Sequence, residues 1–200
     1  MIDIYCILMA SGRGKRFGEN KLLVPVDGRP LAEYAFAATK VPEIRCRLLL
    51  TIHPKLQELA DMAGIDTVLH TFPLRSQTIR LGLKYLQENC ISNHSYGVMF
   101  MPCDQPGLKS STISRLCRTF AADPSCICRL HDGPRPAAPV IFPAHLVGEL
   151  MELPDGGRGA DVIRRHPEIV RECKVSDPLE LFDIDTREDL DEFLHQVMNR

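Results

Sequence analysis

Short apolar runs alternate with segments of helical periodicity along most of this 200-residue chain. Apolar residues three or four positions apart, as in Ile79, Leu83 and Leu86, are typical of a helix that packs one face on a core. The candidate strands are 4–8, 48–52, 67–70, 98–101, 125–129 and 138–142. The candidate helices are 31–39, 55–63, 76–88, 110–121 and Arg187–Met198. This alternation predicts an α/β fold of three layers, in which helices cover both faces of a mostly parallel sheet.

Composition narrows the class of protein. A length of 200 residues fits one domain, 1–200, and 44% hydrophobic with 25% charged residues is ordinary for a globular chain. The net charge of −2 gives no reason to expect nucleic acid as a partner. No apolar run approaches the roughly 20 residues that span a membrane, and Asp3 interrupts the apolar start where a signal peptide would lie. We therefore expect a cytoplasmic protein without a membrane partner.

A glycine-rich, basic loop follows the first candidate strand. Residues 12–21 hold three glycines and four basic side chains, which are Arg13, Lys15, Arg16 and Lys21. Glycine lets backbone N–H groups approach phosphate oxygens closely, and lysine and arginine neutralise the phosphate charge. The pattern predicts a site for a small polyphosphate. The alternative is an ordinary strand-to-helix turn with solvated charges.

This loop departs from the two common phosphate-binding patterns. In a P-loop a lysine follows the last glycine, whereas Glu19 follows Gly18 here. A dinucleotide-binding loop has a third glycine where this chain has Phe17, and an acidic residue at the end of the second strand, which 51–53 lacks. A Rossmann-type oxidoreductase is therefore the weaker interpretation.

A lone carboxylate stands just after the strand 98–101. Pro102 and Pro106 bracket Asp104 and hold it rigidly at the strand end. Mg²⁺ commonly takes one or two carboxylates together with substrate phosphates, so we interpret Asp104 as a magnesium ligand. The alternative is an aspartate that caps a turn. The neighbouring Cys103 would be a reactive thiol if the site is open.

The eight cysteines contain no C-x-x-C pair, which argues against a zinc site and against a disulfide framework. Cys6 and Cys46 lie in apolar runs and are predicted to be small core residues. Cys126 and Cys128 could point to one face of a strand, since side chains alternate, with a metal or redox role as the minor alternative.

The pattern A-x-G-x-G-x-R-F-G-x-x-K resembles the signature of nucleotidyltransferases with a GT-A-like, Rossmann-like fold. The matching positions are Ala10, Gly12, Gly14, Arg16, Phe17, Gly18 and Lys21. The resemblance implies that these loop residues bind a nucleoside triphosphate: Ala10, Ser11, Gly12, Arg13 and Gly14. It also implies that Arg16 and Lys21 are catalytic residues on the phosphates, because attack at the α-phosphorus builds charge on phosphate oxygens.

The D-Q-P segment at Asp104 is similar to that of the molybdenum-cofactor cytidylyltransferase branch of this superfamily. The segment 182–190 resembles the D-I-D-T-P-E-D segment that closes many members, with Arg187 in place of proline. This resemblance implies that Asp104 is a catalytic metal ligand and that Asp185 is a second ligand. As an alternative, Asp185 or Thr186 would cap the last helix.

The segment 76–83 resembles the family's S-x-S-L-R-x-G-L motif. The resemblance implies nucleotide contacts from Ser76, Thr78 and Arg80. Helix capping is the alternative explanation for one of the two hydroxyls.

Two later segments, 136–143 and 155–160, resemble the strand and loop that line the family's acceptor pocket. The implied acceptor-binding residues are Pro139, Gly157 and Arg158. A flexible surface turn is the alternative for the second segment. The stretch 132–139, rich in proline and glycine, is expected to be a mobile surface loop beside the site.

The resemblance implies transfer of CMP from CTP to the phosphate of molybdopterin cofactor, with Mg²⁺ as cofactor and pyrophosphate as product. The guanylyl branch usually has two glycines where this chain has Ala10 and Ser11, and these side chains leave less room beside a purine. CTP is therefore favoured over GTP. A molybdenum hydroxylase is a candidate recipient of the product.

Three other functions stay open at this point. A GTP-dependent molybdopterin guanylyltransferase and a sugar- or alditol-phosphate nucleotidyltransferase would use the same fold. A non-catalytic carrier would bring molybdenum cofactor to a molybdoenzyme. The presence of Arg16, Lys21 and Asp104 together argues against a carrier, because a carrier need not keep a metal ligand.

Overall fold

The computed structural model describes residues 2–12 and 16–199. The strands are β1 (Asp3–Ala10), β2 (Pro25–Val26), β3 (Arg29–Pro30), β4 (Ile44–Thr51), β5 (Asp66–Leu69), β6 (Tyr96–Pro102), β7 (Ile127–His131), β8 (Pro136–Pro143) and β9 (Val170–Lys174). The α-helices are α1 (Leu31–Ala38), α2 (Pro54–Met62), α3 (Arg75–Asn89), α4 (Ser110–Ala122), α5 (Val147–Met151), α6 (Gly159–Arg165) and α7 (Arg187–Met198). Short 3-10 helices cover Lys21–Leu23, Ala144–Leu146, Pro167–Ile169 and Pro178–Leu181.

Within the described residues, seven strands form one sheet in the order β5–β4–β1–β6–β8–β7–β9. The pairs β5/β4, β4/β1, β1/β6 and β7/β9 are parallel. β8 pairs antiparallel with both β6 and β7, so it is the one reversed strand of this sheet. The remaining two strands, β2 and β3, form a small antiparallel hairpin. The predicted α/β fold with a mostly parallel sheet is confirmed.

The core lies on both faces of the sheet because β1 is buried on both sides. Ile4, Cys6 and Leu8 face the layer that contains α1, α2, α4 and α7. Tyr5 and Ile7, at the alternate positions of the strand, face the layer that contains α3, α5 and α6. A strand covered on both faces reads as a continuous apolar run, which is why the first strand was evident from sequence.

The prediction of a mobile loop over 132–139 is wrong for its second half. β8 begins at Pro136, which pairs with His131 of β7. The register between the two strands shifts after the pair Arg129 and Val140, so that Pro139 falls in the irregular part of the ladder. Proline lacks an N–H group, and a bulge lets it lie inside a strand without losing a ladder bond.

No α-helix in the described part of the chain is both long and apolar enough to cross a membrane.

Candidate functional site

A cleft of about 900 Å³ lies beyond the carboxyl ends of β1 and β6. One wall comes from the glycine-rich loop and the residues after β6. The opposite wall comes from β8 and the start of α6. In parallel sheets the loops at this edge collect the residues that bind ligands, and the predicted loops meet there.

An ion cluster lies on one side of the cleft. The Lys21 Nζ atom donates to Asp104 Oδ2 at 2.7 Å and to Asp185 Oδ1 at 2.6 Å. Arg16 Nη2 donates to Asp185 Oδ2 at 2.8 Å. The structure thus brings together four of the predicted site residues from three distant parts of the sequence.

These contacts set the ionisation of the cluster. Burial alone would lower the pKa of Lys21, but the charges and hydrogen bonds of Asp104 and Asp185 outweigh it and raise that pKa. The hydrogen bond from Lys21, helped by the charges of Lys21 and Arg16, lowers the pKa of the Asp185 carboxyl. Lys21 is therefore cationic and Asp185 anionic at neutral pH.

Hydrogen bonds from two backbone N–H groups hold the two carboxylate segments side by side. The Ile184 N–H donates to the Asp104 carbonyl oxygen at 2.9 Å. The Lys109 N–H donates to the Glu180 carboxylate at 3.3 Å. The segment before α7 is thereby fixed against the loop after β6, which places Asp185 beside Asp104.

The cap of α7 comes from Thr186 and Asp189 rather than from Asp185. The Thr186 hydroxyl accepts from the Asp189 N–H at 3.1 Å, and the Asp189 carboxylate accepts from the Thr186 N–H at 2.7 Å. This reciprocal pair is a capping box. The Asp185 side chain is left to face Lys21 and the cleft.

Asp183 also lines the cleft and was missed by the sequence analysis. Asp183 is exposed to the cleft, and partial removal of water there, together with the charges of Asp104 and Asp185, raises its pKa to about 6. A signal was present in the sequence. In Asp183-Ile184-Asp185 a buried Ile184 separates two acids, so in an extended chain both acids point away from the core.

The carboxylate oxygens of Asp104, Asp183 and Asp185 are hard donors of the kind that Mg²⁺ takes. Asp104 Oδ1 is buried and accepts no hydrogen bond from any residue that the structure describes. A buried carboxylate oxygen without a partner is costly unless a cation or water meets it. The donor set therefore fits a divalent cation.

Two histidines that follow β4 and β5 contact the start of the glycine-rich loop. His53, which follows β4, donates from Nε2 to the Gly12 carbonyl oxygen at 2.9 Å. His70, which follows β5, lies with Nε2 2.7 Å from Ser11 Oγ. Because His70 Nδ1 accepts from the Phe72 N–H at 3.1 Å, its proton is on Nε2, which donates to Ser11.

The same interactions fix Ser11, whose hydroxyl donates in turn to the Leu50 carbonyl oxygen at 3.1 Å. Burial lowers the pKa of His70, so the ring is neutral at neutral pH. The sequence analysis missed both His53 and His70, although each follows a strand at the edge of the sheet where ligands bind.

Ala10 is fully buried at the end of β1. The predicted nucleotide contacts Arg13 and Gly14 lie outside the described residues.

The predicted nucleotide contacts of α3 are not brought to the cleft. Ser76 and Thr78 are buried, and the Thr78 hydroxyl donates to the Leu74 carbonyl oxygen at 3.2 Å, within its own helix turn. Arg80 donates to the Leu153 carbonyl oxygen at 2.6 Å and contacts Asp155 at 3.3 Å. Arg80 thus supports the loop before α6. The arginine of α3 that lines the cleft is Arg75.

Of the three predicted acceptor-binding residues, one lines the cleft and two do not. Arg158 is exposed and lines the cleft. Gly157 is buried, donates its N–H to the Pro154 carbonyl oxygen at 2.8 Å, and has no room for a Cβ, which would lie 2.9 Å from that oxygen. Pro139 is buried beneath the wall that its neighbours in β8 form. Arg129 of β7, which the sequence analysis missed, also lines this wall.

Cys103 lines the cleft but is not the reactive thiol that an open site would allow. Its side chain is buried, and burial, followed by the nearby charge of Asp104, raises the pKa of the thiol well above its ordinary value. The nucleophilic thiolate is therefore scarce at neutral pH.

The sheet and its cleft have the architecture of the GT-A-like nucleotidyltransferase fold. Residues 6–170 match the family model of the MobA-like NTP transferase domain, and the chain belongs to this family. The resemblance seen in the sequence motifs is thereby confirmed at the level of the superfamily.

Known relatives agree with this assignment. A molybdenum cofactor guanylyltransferase of Yersinia pseudotuberculosis is 30% identical over 116 residues, which are 57% of this chain and 55% of that protein. The match thus spans about half the length of the curated relatives.

Solved structures share the fold over nearly the whole chain. Rv0371c from Mycobacterium tuberculosis H37Rv superimposes with a TM-score of 0.78 at 26% identity, over 96% of this chain and 98% of that chain. A nucleotidyl transferase from Methanothermobacter thermautotroptrophicus gives a TM-score of 0.79 at 20% identity, with the same coverage. At 20% identity the second likeness shows the fold alone.

Proposed function

We propose that the protein transfers CMP from CTP to the phosphate of molybdopterin cofactor and releases pyrophosphate. The observation that carries this proposal is the position of Lys21, between Asp104 and Asp185 in a cleft that Gly12 and Arg16 also line. Membership of the MobA-like NTP transferase family supports it.

Two cations of the chain would act on the triphosphate. Lys21 and Arg16 belong to the glycine-rich loop, and both line the cleft, within reach of a ligand bound there. Their charges would oppose the negative charge that develops on phosphate oxygens as pyrophosphate leaves. An acceptor phosphate is already ionised at neutral pH, so the reaction needs no general base.

Asp104 and Asp185 would hold Mg²⁺, and Asp183 would assist them from the same side of the cleft. When bound, the cation supplies Lewis-acid neutralisation of phosphate charge. The acceptor would bind against the other wall, where Arg158 offers a guanidinium group suited to a phosphate.

Ser11 supports a pyrimidine base, because the guanylyl branch usually has glycine at this position and a side chain leaves less room beside a purine. Hydrogen bonds with the Leu50 carbonyl oxygen and with His70 fix the Ser11 hydroxyl. A second candidate is transfer of GMP from GTP, which is favoured by the curated relatives, since these are named as guanylyltransferases.

The test measures pyrophosphate release with Mg²⁺ and molybdopterin cofactor, with CTP, GTP, ATP and UTP supplied one at a time. Asp104→Asn removes a carboxylate of the cluster, and Asp191→Asn, on the exposed side of α7, is the matched control. We expect release with CTP from the wild type and the control and almost none from Asp104→Asn. Release with GTP alone would replace the cytidylyl proposal by the guanylyl one. Absence of release with every nucleotide would refute nucleotidyl transfer to this acceptor.

A further inference from the structure

A second cluster of ligating groups lies at the opposite end of the sheet from the cleft. Cys46 is near the start of β4, Asp66 is the first residue of β5, and Cys90 directly follows α3. The two sulfur atoms are 2.8 Å apart, and Cys46 Sγ lies 3.9 Å from Asp66 Oδ2. One ligand atom from each residue lies within 4.8 Å of the other two.

The three groups are partly open to solvent. Cys46 and Cys90 are half-buried, and Asp66 is exposed. Cys46 and Asp66 border a shallow depression of about 410 Å³ through which an ion could enter. Cys6 is fully buried, as predicted, whereas Cys46 packs against the core with only part of its side chain. The sequence concealed the cluster because its members are 20 or more positions apart.

The Cys46 thiol lies beside both the Cys90 sulfur and the Asp66 carboxylate. Burial, then the Cys90 thiol and the Asp66 charge, raise the pKa of the Cys46 thiol. A divalent cation would reverse this balance, because it stabilises thiolates and carboxylate together. Burial, then the nearby Asp66 charge, raises the pKa of the Tyr85 phenol, so this neighbour of the carboxylate stays protonated.

We propose that Cys46, Asp66 and Cys90 form a site for a thiophilic divalent cation of the Zn²⁺ type. Two thiolates and one carboxylate supply three ligands, and water completes a tetrahedron. Binding releases one proton from each thiol and changes no oxidation state. Zn–S bonds of about 2.3 Å in a tetrahedral site would place the sulfur atoms about 1 Å farther apart than they are here.

A simple disulfide between the two cysteines is the main rival. It would account for the short distance between the sulfurs but not for the carboxylate beside them. A neighbouring negative charge disfavours the thiolate that attacks in disulfide formation, whereas it strengthens a cation site. The site would link β4, β5 and the end of α3, so the bound cation would stabilise the fold rather than take part in the reaction of the cleft.

The test titrates the reduced full-length protein with Co²⁺, which takes zinc sites and gives an intense near-ultraviolet band when thiolates bind it. We expect one thiolate-bound Co²⁺ per chain, which Zn²⁺ displaces. Cys46→Ser and Cys90→Ser should abolish the band, and Asp66→Asn should weaken binding roughly tenfold or more. Cys173→Ser, a cysteine far from the cluster, and Asp61→Asn, an exposed acid of α2, should leave binding unchanged.

The readout is independent of nucleotidyl transfer, so the two proposals fail separately. Since Asp66 is exposed, Asp66→Asn should fold even if a cysteine variant does not. Co²⁺ binding without a thiolate band would overturn the proposal, as would a band that persists in both serine variants. Isolation of a Cys46–Cys90 disulfide whose reduction yields no Co²⁺ site would favour the rival and also overturn it.

Discussion

At the scale of single residues, the charge of Lys21 matters most. Two carboxylates hold its ammonium group at 2.6 and 2.7 Å, and their attraction outweighs the burial that opposes its charge. A fixed cation of this kind costs no reorganisation when charge develops on a ligand beside it. Asp104 was predicted from its position after a buried strand and Lys21 from the basic, glycine-rich loop, whereas Asp185 was predicted from the family resemblance alone.

Replacement of Lys21 by methionine keeps most of the side-chain length and removes the charge. We expect pyrophosphate release to fall on the order of a hundredfold, as after the loss of one preorganised electrostatic contact. Lys84→Met, on the exposed side of α3, is the control and should keep its activity. Steady-state kinetics with saturating nucleotide measure the effect. An unchanged rate for Lys21→Met would remove this residue from the proposed mechanism.

Ser11 should influence the choice of base. Ser11→Gly removes the side chain that His70 and Leu50 fix, which gives a purine more room. We expect the ratio of activity with GTP to activity with CTP to rise roughly tenfold, the scale of one small steric contact. Ser92→Gly, in an exposed loop, should not alter the ratio. Equal ratios in all three proteins would show that selectivity arises elsewhere.

Asp183 makes stability depend on pH in a defined direction. Its pKa in the folded chain is about 6, above the ordinary value of 3.8, so the native state holds this proton more tightly than the unfolded state. The stabilisation is complete below about pH 4 and is lost as pH rises to 6. As the pH rises from about 4 to 6, Asp183→Asn should become more stable than the wild type. Above pH 6 the difference in the free energy of unfolding should stay constant. Urea unfolding at several pH values measures the difference, and parallel pH profiles would contradict this account.

At the scale of elements, the contact between the loop after β6 and the segment before α7 creates the site. Gly107 approaches the 3-10 helix Pro178–Leu181 so closely that an added Cβ would collide with the Leu179 carbonyl oxygen. Close backbone packing and the bond from Ile184 to Asp104 together bring Asp104 to Asp185. Neither interaction has a sequence signature, because both join residues more than 70 positions apart.

Gly107→Ala should separate these two segments. We expect the free energy of unfolding to fall by about 1–3 kcal/mol, the usual cost of overpacking, because a backbone carbonyl cannot turn aside. Gly148→Ala is the matched control. Gly148 lies on the exposed side of α5 with nothing within 4 Å of an added Cβ, so alanine should stabilise by about 0.5–1 kcal/mol. If Gly107→Ala is at least as stable as Gly148→Ala, the packing argument is refuted.

The elements that the sequence did not predict share a physical cause. β9 has only two apolar residues among its five, with two adjacent charged residues between them, and α5 and α6 are five and seven residues long. Short elements gain their stability from neighbours already in place, so local periodicity is weak. The alternation of long apolar strands with longer helices did predict the parallel part of the sheet. The site residues missed, such as His53, His70 and Asp183, become evident only when strand ends are brought to one edge.

At the scale of the whole molecule, the two ends of the sheet carry different sets of potential metal-ligating atoms. Oxygen donors and cations gather beyond the carboxyl ends of the strands, whereas thiols and one carboxylate gather near the start of β4 and β5. Hard and soft cations prefer these two donor sets respectively, so the sheet itself would keep the proposed sites apart.

Identification of the product tests the central claim most directly. The protein, CTP, Mg²⁺ and molybdopterin cofactor are incubated together. The molecular mass of the pterin product is determined by mass spectrometry, and the amount of pyrophosphate is quantified. The account predicts a product that is heavier by one CMP unit, formed one-to-one with pyrophosphate and about a hundredfold more slowly by Lys21→Met. Unmodified pterin beside intact CTP, or release of single phosphate instead of pyrophosphate, would contradict it.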